Sequence, residues 1–116
     1  MIGLPRSGRI LLFAEPTDMR KGHNGLQGLI LAAGEDPFGG DLFVFISRRR
    51  DRAKILTFDG GGLVLWYNRL ERGRFRHPKR DEANVELDST ALAMLLDGID
   101  VDKVRRPVKW EPRRAS

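Results

Sequence analysis

The side chains best equipped for chemistry in this chain are clustered arginines. One group is Arg48, Arg49, Arg50, Arg52 and Lys54, and the other is Arg69, Arg72, Arg74 and Arg76. A guanidinium is always charged and offers paired donors in a flat fork, which matches two oxygens of a phosphate or the O6/N7 edge of guanine. Sixteen of the 21 basic residues are Arg, so the chemistry expected is the holding of phosphate. These nine positions are the candidate nucleic-acid-binding residues.

Bond-making chemistry has little to work with. With no Cys and two His, His23 and His77, thiol catalysis and zinc or iron–sulfur sites are not expected. Asp18, Asp41, Asp51 and Asp59 show no spacing that favours a two-metal phosphoryl-transfer site. Gly22, Gly25 and Gly28 lack the Gly-Lys-Ser/Thr ending of a Walker loop and do not directly follow a strand as a dinucleotide fingerprint does. The expectation is no catalytic residue, no metal and no cofactor.

Net charge is +5 over 116 residues and the pI is about 10.2. The charge is blocked along the chain: residues 1–46 carry −1, 47–80 carry +8, 81–102 carry −7 and 103–116 carry +5. Hydrophobic residues make up 41% and charged residues 32%, a balance that folds as a globular domain. No apolar run approaches the roughly 18 residues of a membrane span. The N-terminus lacks the charged-then-apolar pattern of a secretory signal, so a cytoplasmic location is expected.

The elements that must position the arginines can be read from periodicity. Arg9 to Ala14 is a short apolar strand closed by Glu15-Pro16, where the proline ring removes a backbone donor. From Gly22 to Ala33, the apolar residues Leu26, Leu29, Ile30 and Ala33 share one helical face. Gly34 to Gly40 is a loop, with Gly34 suited to the left-handed position past a helix end. Leu42 to Ser47, Arg52 to Phe58 and Leu63 to Leu70 are strands rich in β-forming residues.

Asp59-Gly60-Gly61-Gly62 makes a tight hairpin turn, and Glu71-Arg72-Gly73 a second turn into a short strand over Arg74 to His77. Asp88 caps a second helix with Leu92, Leu95, Leu96 and Ile99 on one face. The fold class is α+β: a small, mainly antiparallel β-meander sheet of four to five strands with two amphipathic helices. Residues 1–102 form one domain, and 103–116 form a basic C-terminal tail too polar and proline-broken for a core element.

In a meander, alternate turns emerge at the same end of the sheet. The turns at Ser47 to Asp51 and Glu71 to Arg74 should therefore lie side by side, about two strand spacings or roughly 10 Å apart. The strands also carry Phe43, Phe45, Trp66, Tyr67 and Phe75. Exposed aromatics on a sheet can stack unpaired bases, but a sheet covered by helices needs most of them inside.

A string of motifs then points to a family. Thr17-Asp18-Met19-Arg20-Lys21-Gly22, followed by Gly25-Leu26, resembles the opening motif of the TnpB accessory proteins of the insertion-sequence family sixty-six. Asp36-Pro37-Phe38-Gly39-Gly40, Leu42 to Phe45, the Arg-rich turn leading to Asp51-Arg52 and Lys54, Asp59-Gly60 and Leu65-Trp66-Tyr67 continue the match in order. Arg69 to Phe75 and Leu95 to Asp100 complete it. The chain departs from the pattern at His23 and Asn24, usually an apolar residue and Asp, and at Arg50, where Gly is common.

The resemblance implies a role in transposition, beside a separate and larger transposase that carries the catalytic triad. The family name is shared with unrelated RNA-guided nucleases, which are longer and bind zinc through cysteines. The resemblance supplies no catalytic residue, and Thr17 to Gly22 remain a family motif of unknown role. One expectation is an accessory protein that binds DNA at the element ends through its arginine clusters and assists the transposase. The other is an interaction module that docks on the transposase or a further accessory protein, through the acidic second helix and a sheet edge, without touching DNA.

Overall fold

The structure of the protein, a computed structural model, describes residues 8–75 and 84–97. Its elements are β1 (Ile10–Leu12), α1 (His23–Ala32), β2 (Leu42–Ile46), β3 (Arg52–Phe58), β4 (Leu63–Arg69), β5 (Val85–Leu87) and α2 (Ser89–Leu96). The strands form one five-stranded sheet in the order β4-β3-β2-β1-β5. The class is α+β, with two helices and a mostly antiparallel sheet.

Chain length between strands sets the pairing. β2, β3 and β4 are joined by short turns and form an antiparallel meander. β1 and β2 are separated by α1, and so long a connection lets the chain return in the same direction. They pair in parallel, Ile10 opposite Leu42 and Leu12 opposite Val44.

Alternation along the strands divides the core in two. Ile10, Leu12, Leu42, Val44, Ile46 and Ile55 face one side, where Leu92, Leu95 and Leu96 of α2 cover them. Leu11, Phe13, Phe43, Phe45 and Leu56 face the other, under Leu26 and Ile30 of α1. β2 sits between two strands and beneath a helix on each face, so all five residues of Leu-Phe-Val-Phe-Ile are buried, as a strand covered on both sides requires. Each such side chain contributes about 1.5–3 kcal/mol when fully buried.

Helix ends follow local chemistry. Asp88 accepts a 2.8 Å hydrogen bond from the Ala91 amide at the start of α2, the capping role expected of it. Past α1, Gly34 takes φ +80°. The amides of Gly34 and Glu35 donate back to Leu31 and Ile30, a Schellman closure that only an unhindered left-handed residue permits cheaply. Ala33 lies at this cap and is exposed, so the apolar face of α1 ends at Ile30 and does not extend to Ala33.

Two further details differ from the sequence reading. Arg74 and Phe75 do not begin a strand; Phe75 turns inward and is fully buried in the core under α2. The last strand is instead Val85–Leu87, which pairs antiparallel with β1 at the far edge. It is as short as β1 but has Glu86 at its centre, so it lacks the apolar run that marks β1 in the sequence. Arg76, His77, Ile99 and the 103–116 segment lie outside the described residues.

Candidate nucleic-acid interface

Strand direction decides which loops meet. β1, β2 and β4 run the same way, so the segments that follow them emerge at one end of the sheet. After β1, the amides of Phe13 and Thr17 donate to the carbonyls of Val44 and Ile46, each at 2.9 Å. These bonds carry the Thr17 to Gly22 motif along β2 to the turn Ser47 to Asp51. After β4, the Leu70 amide donates to Asp51 O at 2.8 Å and the Phe75 amide to Arg50 O at 2.6 Å. The two basic turns are therefore hydrogen-bonded to each other, closer than the two strand spacings expected, because Phe75 anchors the second turn in the core.

The Arg turn is tightly closed. Arg50 N donates to Ser47 O and Ser47 N to Arg52 O, both at 2.9 Å. Ser47 Oγ lies 3.3 Å from Asp51 Oδ1 and accepts from Arg52 N at 3.1 Å. Arg50 sits at φ +64°, where among the described residues every other positive φ belongs to a glycine. The turn keeps the shape that Gly would favour and places an Arg there instead. Arg50→Gly should raise stability by about 0.5–1 kcal/mol, since a left-handed L-residue costs roughly 1–2 kcal/mol and glycine's extra chain entropy returns part of that. A thermal melt checks this, and an unchanged or lower midpoint would contradict it.

The motif loop is held by its own charges and by β3. Asp18 accepts from the Arg20 guanidinium at 2.7 Å and from the Arg20 amide at 2.9 Å. These bonds, side chain first, hold the Asp18 carboxyl well below the usual carboxylate range against a weaker effect of desolvation. The pair is open to water and adds little stability. Lys54 Nζ donates to the carbonyls of Met19 and Lys21, each at 2.8 Å, and stands 5.6 Å from the centre of the Tyr67 ring.

Lys54 is thus a clamp on the motif loop. Lys54→Met keeps the apolar stem but removes both donors. It should cost about 1.5–3 kcal/mol, the range for hydrogen bonds to a charged group, and speed amide exchange between Met19 and Gly22. Unaltered exchange there would argue against the clamp.

Together these segments enclose a concavity of about 620 Å³. Thr17, Asp18, Met19 and Arg20 form one wall, and Ser47, Arg48, Arg49 and Asp51 a second. Arg52, Lys54, Leu65 and Tyr67 of β3 and β4 form the floor. The floor lies on the α1 side of the sheet, since Lys54 pairs with Tyr67 and Leu56 with Leu65 across the ladder, and Leu56 and Leu65 pack in the core beneath α1.

Five cations face two carboxylates here. Asp18 is taken by Arg20, and Asp51 stands 3.6 Å from Arg52 Nε without forming a hydrogen bond to it. Arg48 and Arg49 are exposed, and among the described residues no carboxylate pairs with either. An adjoining depression of about 350 Å³ is lined by Arg48, Arg49, Arg50 and Arg74.

The remaining candidates are placed less centrally. Arg72 is exposed in the turn after β4, and Arg69 is exposed at the end of β4, opposite Arg52. Thr17 is buried and Gly22 precedes α1. At the other end of the sheet Arg9 binds Asp41 and Glu35. Burial acts to raise the Asp41 carboxyl, but hydrogen bonds from the Arg9 amide and guanidinium outweigh it and hold the group below its ordinary value. That cluster ties β1 to the loop before β2.

Nothing local in the sequence links the motif to the Arg turn or separates Tyr67 from the other aromatics. Phe43, Phe45 and Phe75 are fully buried and Trp66 packs partly against the core, whereas Tyr67 is 49% exposed. The signal that could have found it is parity: Arg52, Lys54 and Leu56 alternate on one face of β3, as Leu65, Tyr67 and Arg69 do on β4.

Fold and site define a small α+β fold whose loops gather guanidinium groups, two of them without a carboxylate partner among the described residues, around a concave surface. The chain belongs to the IS66 Orf2-like protein family, whose model matches residues 8–106, and this gives it an accessory role in insertion-sequence transposition. Two relatives are from Sinorhizobium fredii (strain NBRC 101917 / NGR234). Uncharacterized protein y4jC is 38% identical over 111 residues, covering 94% of this chain and 95% of the relative. Uncharacterized protein y4hO is 34% identical over 111 residues, covering 91% of each. No solved structure matches the chain. Among the described residues, no helix is long and apolar enough to cross a membrane.

Proposed function

We propose that the protein assists a separate transposase by binding DNA of its element through the basic end of the sheet. The observation that carries this reading is the pair Arg48 and Arg49, exposed beside Arg50 and Arg74 and unmatched by a carboxylate among the described residues. Like charges gathered without counter-charge repel one another, so the arrangement favours an anionic partner. DNA phosphates meet that requirement, and their counterion release makes such binding steeply salt-dependent. Arg52 and Lys54 act chiefly within the fold, while Arg69 and Arg72 extend the cationic surface.

The test is a fluorescence titration of the purified protein with the element's terminal duplex and a scrambled duplex, at about 50 and 200 mM salt. Binding at the lower salt that falls steeply at the higher supports the reading, and preference for the terminal sequence extends it to recognition of the element end. No binding at about 50 mM salt overturns it. The second reading, docking on the transposase, is favoured by β4, whose outer edge has no strand beside it in the described sheet. Such an edge can accept a partner's strand.

A further inference from the structure

We infer that the concavity between the motif loop and β3–β4 takes an unpaired nucleotide, making single-stranded DNA a ligand of this site. The inference rests on the DNA-binding reading and goes beyond it by naming the form of DNA. Three observations carry it: the shape of the surface, an aromatic ring left open on it, and the placing of cations that have no carboxylate partner among the described residues.

A duplex presents its bases only as edges in grooves, and proteins reach them with a protruding helix or β-ribbon. Here the surface recedes. The concavity of about 620 Å³ lies within the roughly 300–1,000 Å³ of small-ligand clefts, too small for a double helix and sufficient for a base and its sugar. Its floor offers Tyr67, half of whose surface stays open although Lys54 stands over the ring. A solvent-exposed aromatic on a sheet face is a platform on which a base stacks, with little regard for sequence.

The cations are placed to take the phosphates on either side of that base. Arg48 and Arg49 line the same concavity as Tyr67 and continue into the adjoining depression with Arg50 and Arg74. A strand seated on Tyr67 therefore has a cationic path leading away from it. The Arg20 guanidinium is held by Asp18, while Lys21 lines a further depression with Arg48, so a cation stands on that side of the base as well.

The experiment compares a labelled single-stranded oligonucleotide of about ten nucleotides with the corresponding duplex, by fluorescence anisotropy at about 50 mM salt, for the full-length chain and its Tyr67→Ala and Tyr67→Phe variants. Tyr67→Ala should weaken single-strand binding about fivefold to a hundredfold, the span for loss of one stacked base. Tyr67→Phe should retain it, and duplex affinity should change by less than about twofold. Thermal melts of the variants check that they remain folded, as expected at a half-exposed position. If Tyr67→Ala leaves single-strand binding intact, or weakens both DNAs equally, the inference fails while the DNA-binding reading stands. If neither DNA binds the wild-type chain, both fail.

Discussion

Replacing Arg48, Arg49, Arg72 and Arg74 together by Ala is expected to lower duplex DNA affinity about a hundredfold at about 50 mM salt. Each guanidinium that neutralises a phosphate releases counterions, and the slope of log affinity against log salt shrinks by about 0.9 for each phosphate that is no longer neutralised. Removing all four guanidinium groups would flatten the slope by about 3 to 4. All four side chains are exposed, and substitutions at such positions usually change stability by less than about 0.5 kcal/mol, so the melting temperature should barely move. Reduced affinity with an unchanged slope would mean that these arginines do not meet phosphates. The quartet variant and Tyr67→Ala also separate two contributions: the first acts through charge and salt, the second through a base and not through salt.

Phe43→Ala should be the most damaging single change to the fold. Phe43 is fully buried in β2, between Leu11 of β1 and Leu56 of β3 in register. Its ring stands edge-on to Phe13 at 6.3 Å. Truncation removes the transfer energy of the ring and leaves a cavity that neighbours on a rigid sheet fill only in part. The cost is about 3–5 kcal/mol, against a total stability of about 5–15 kcal/mol for a domain. Urea denaturation should show the midpoint fall accordingly. Leu31→Ala provides the contrast, because Leu31 is 61% exposed on α1 and its truncation should shift the midpoint very little. A small effect at Phe43 would contradict the two-faced core.

The basic end also shows how a charged surface can be kept from collapsing on itself. Lys54 and Arg52 are drawn inward, the first to backbone carbonyls and the second beside Asp51. Phe75 holds the second basic turn against the first from within the core. The arginines left over, Arg48, Arg49, Arg72 and Arg74, therefore stand outward on a frame fixed by other residues.

Much of this protein is determined by its sequence alone, because the relevant forces act over a few residues. Strand alternation, the apolar face of α1, the Asp88 cap and the left-handed Gly34 each depend on neighbours within one or two turns of chain. The hydrophobic run at Leu42 to Ile46 similarly announces a strand. The collinear motifs from Thr17 to Asp100 carry the family, and the arginine blocks carry the sign of the expected partner.

Only the tertiary structure decided where those features meet. The Thr17 to Gly22 motif and the Arg turn are separated in sequence by a helix and a strand, yet they share one end of the sheet because β1 and β2 are parallel. Had β1 joined antiparallel, the motif would have left from the opposite end and Lys54 would have had nothing to clamp. Local periodicity is the same for parallel and antiparallel strands and cannot distinguish them. Likewise, Phe43, Phe45, Phe75 and Tyr67 are all aromatic β-formers. What leaves Tyr67 open is its place on the outer strand β4, on the part of the sheet that α1 does not cover.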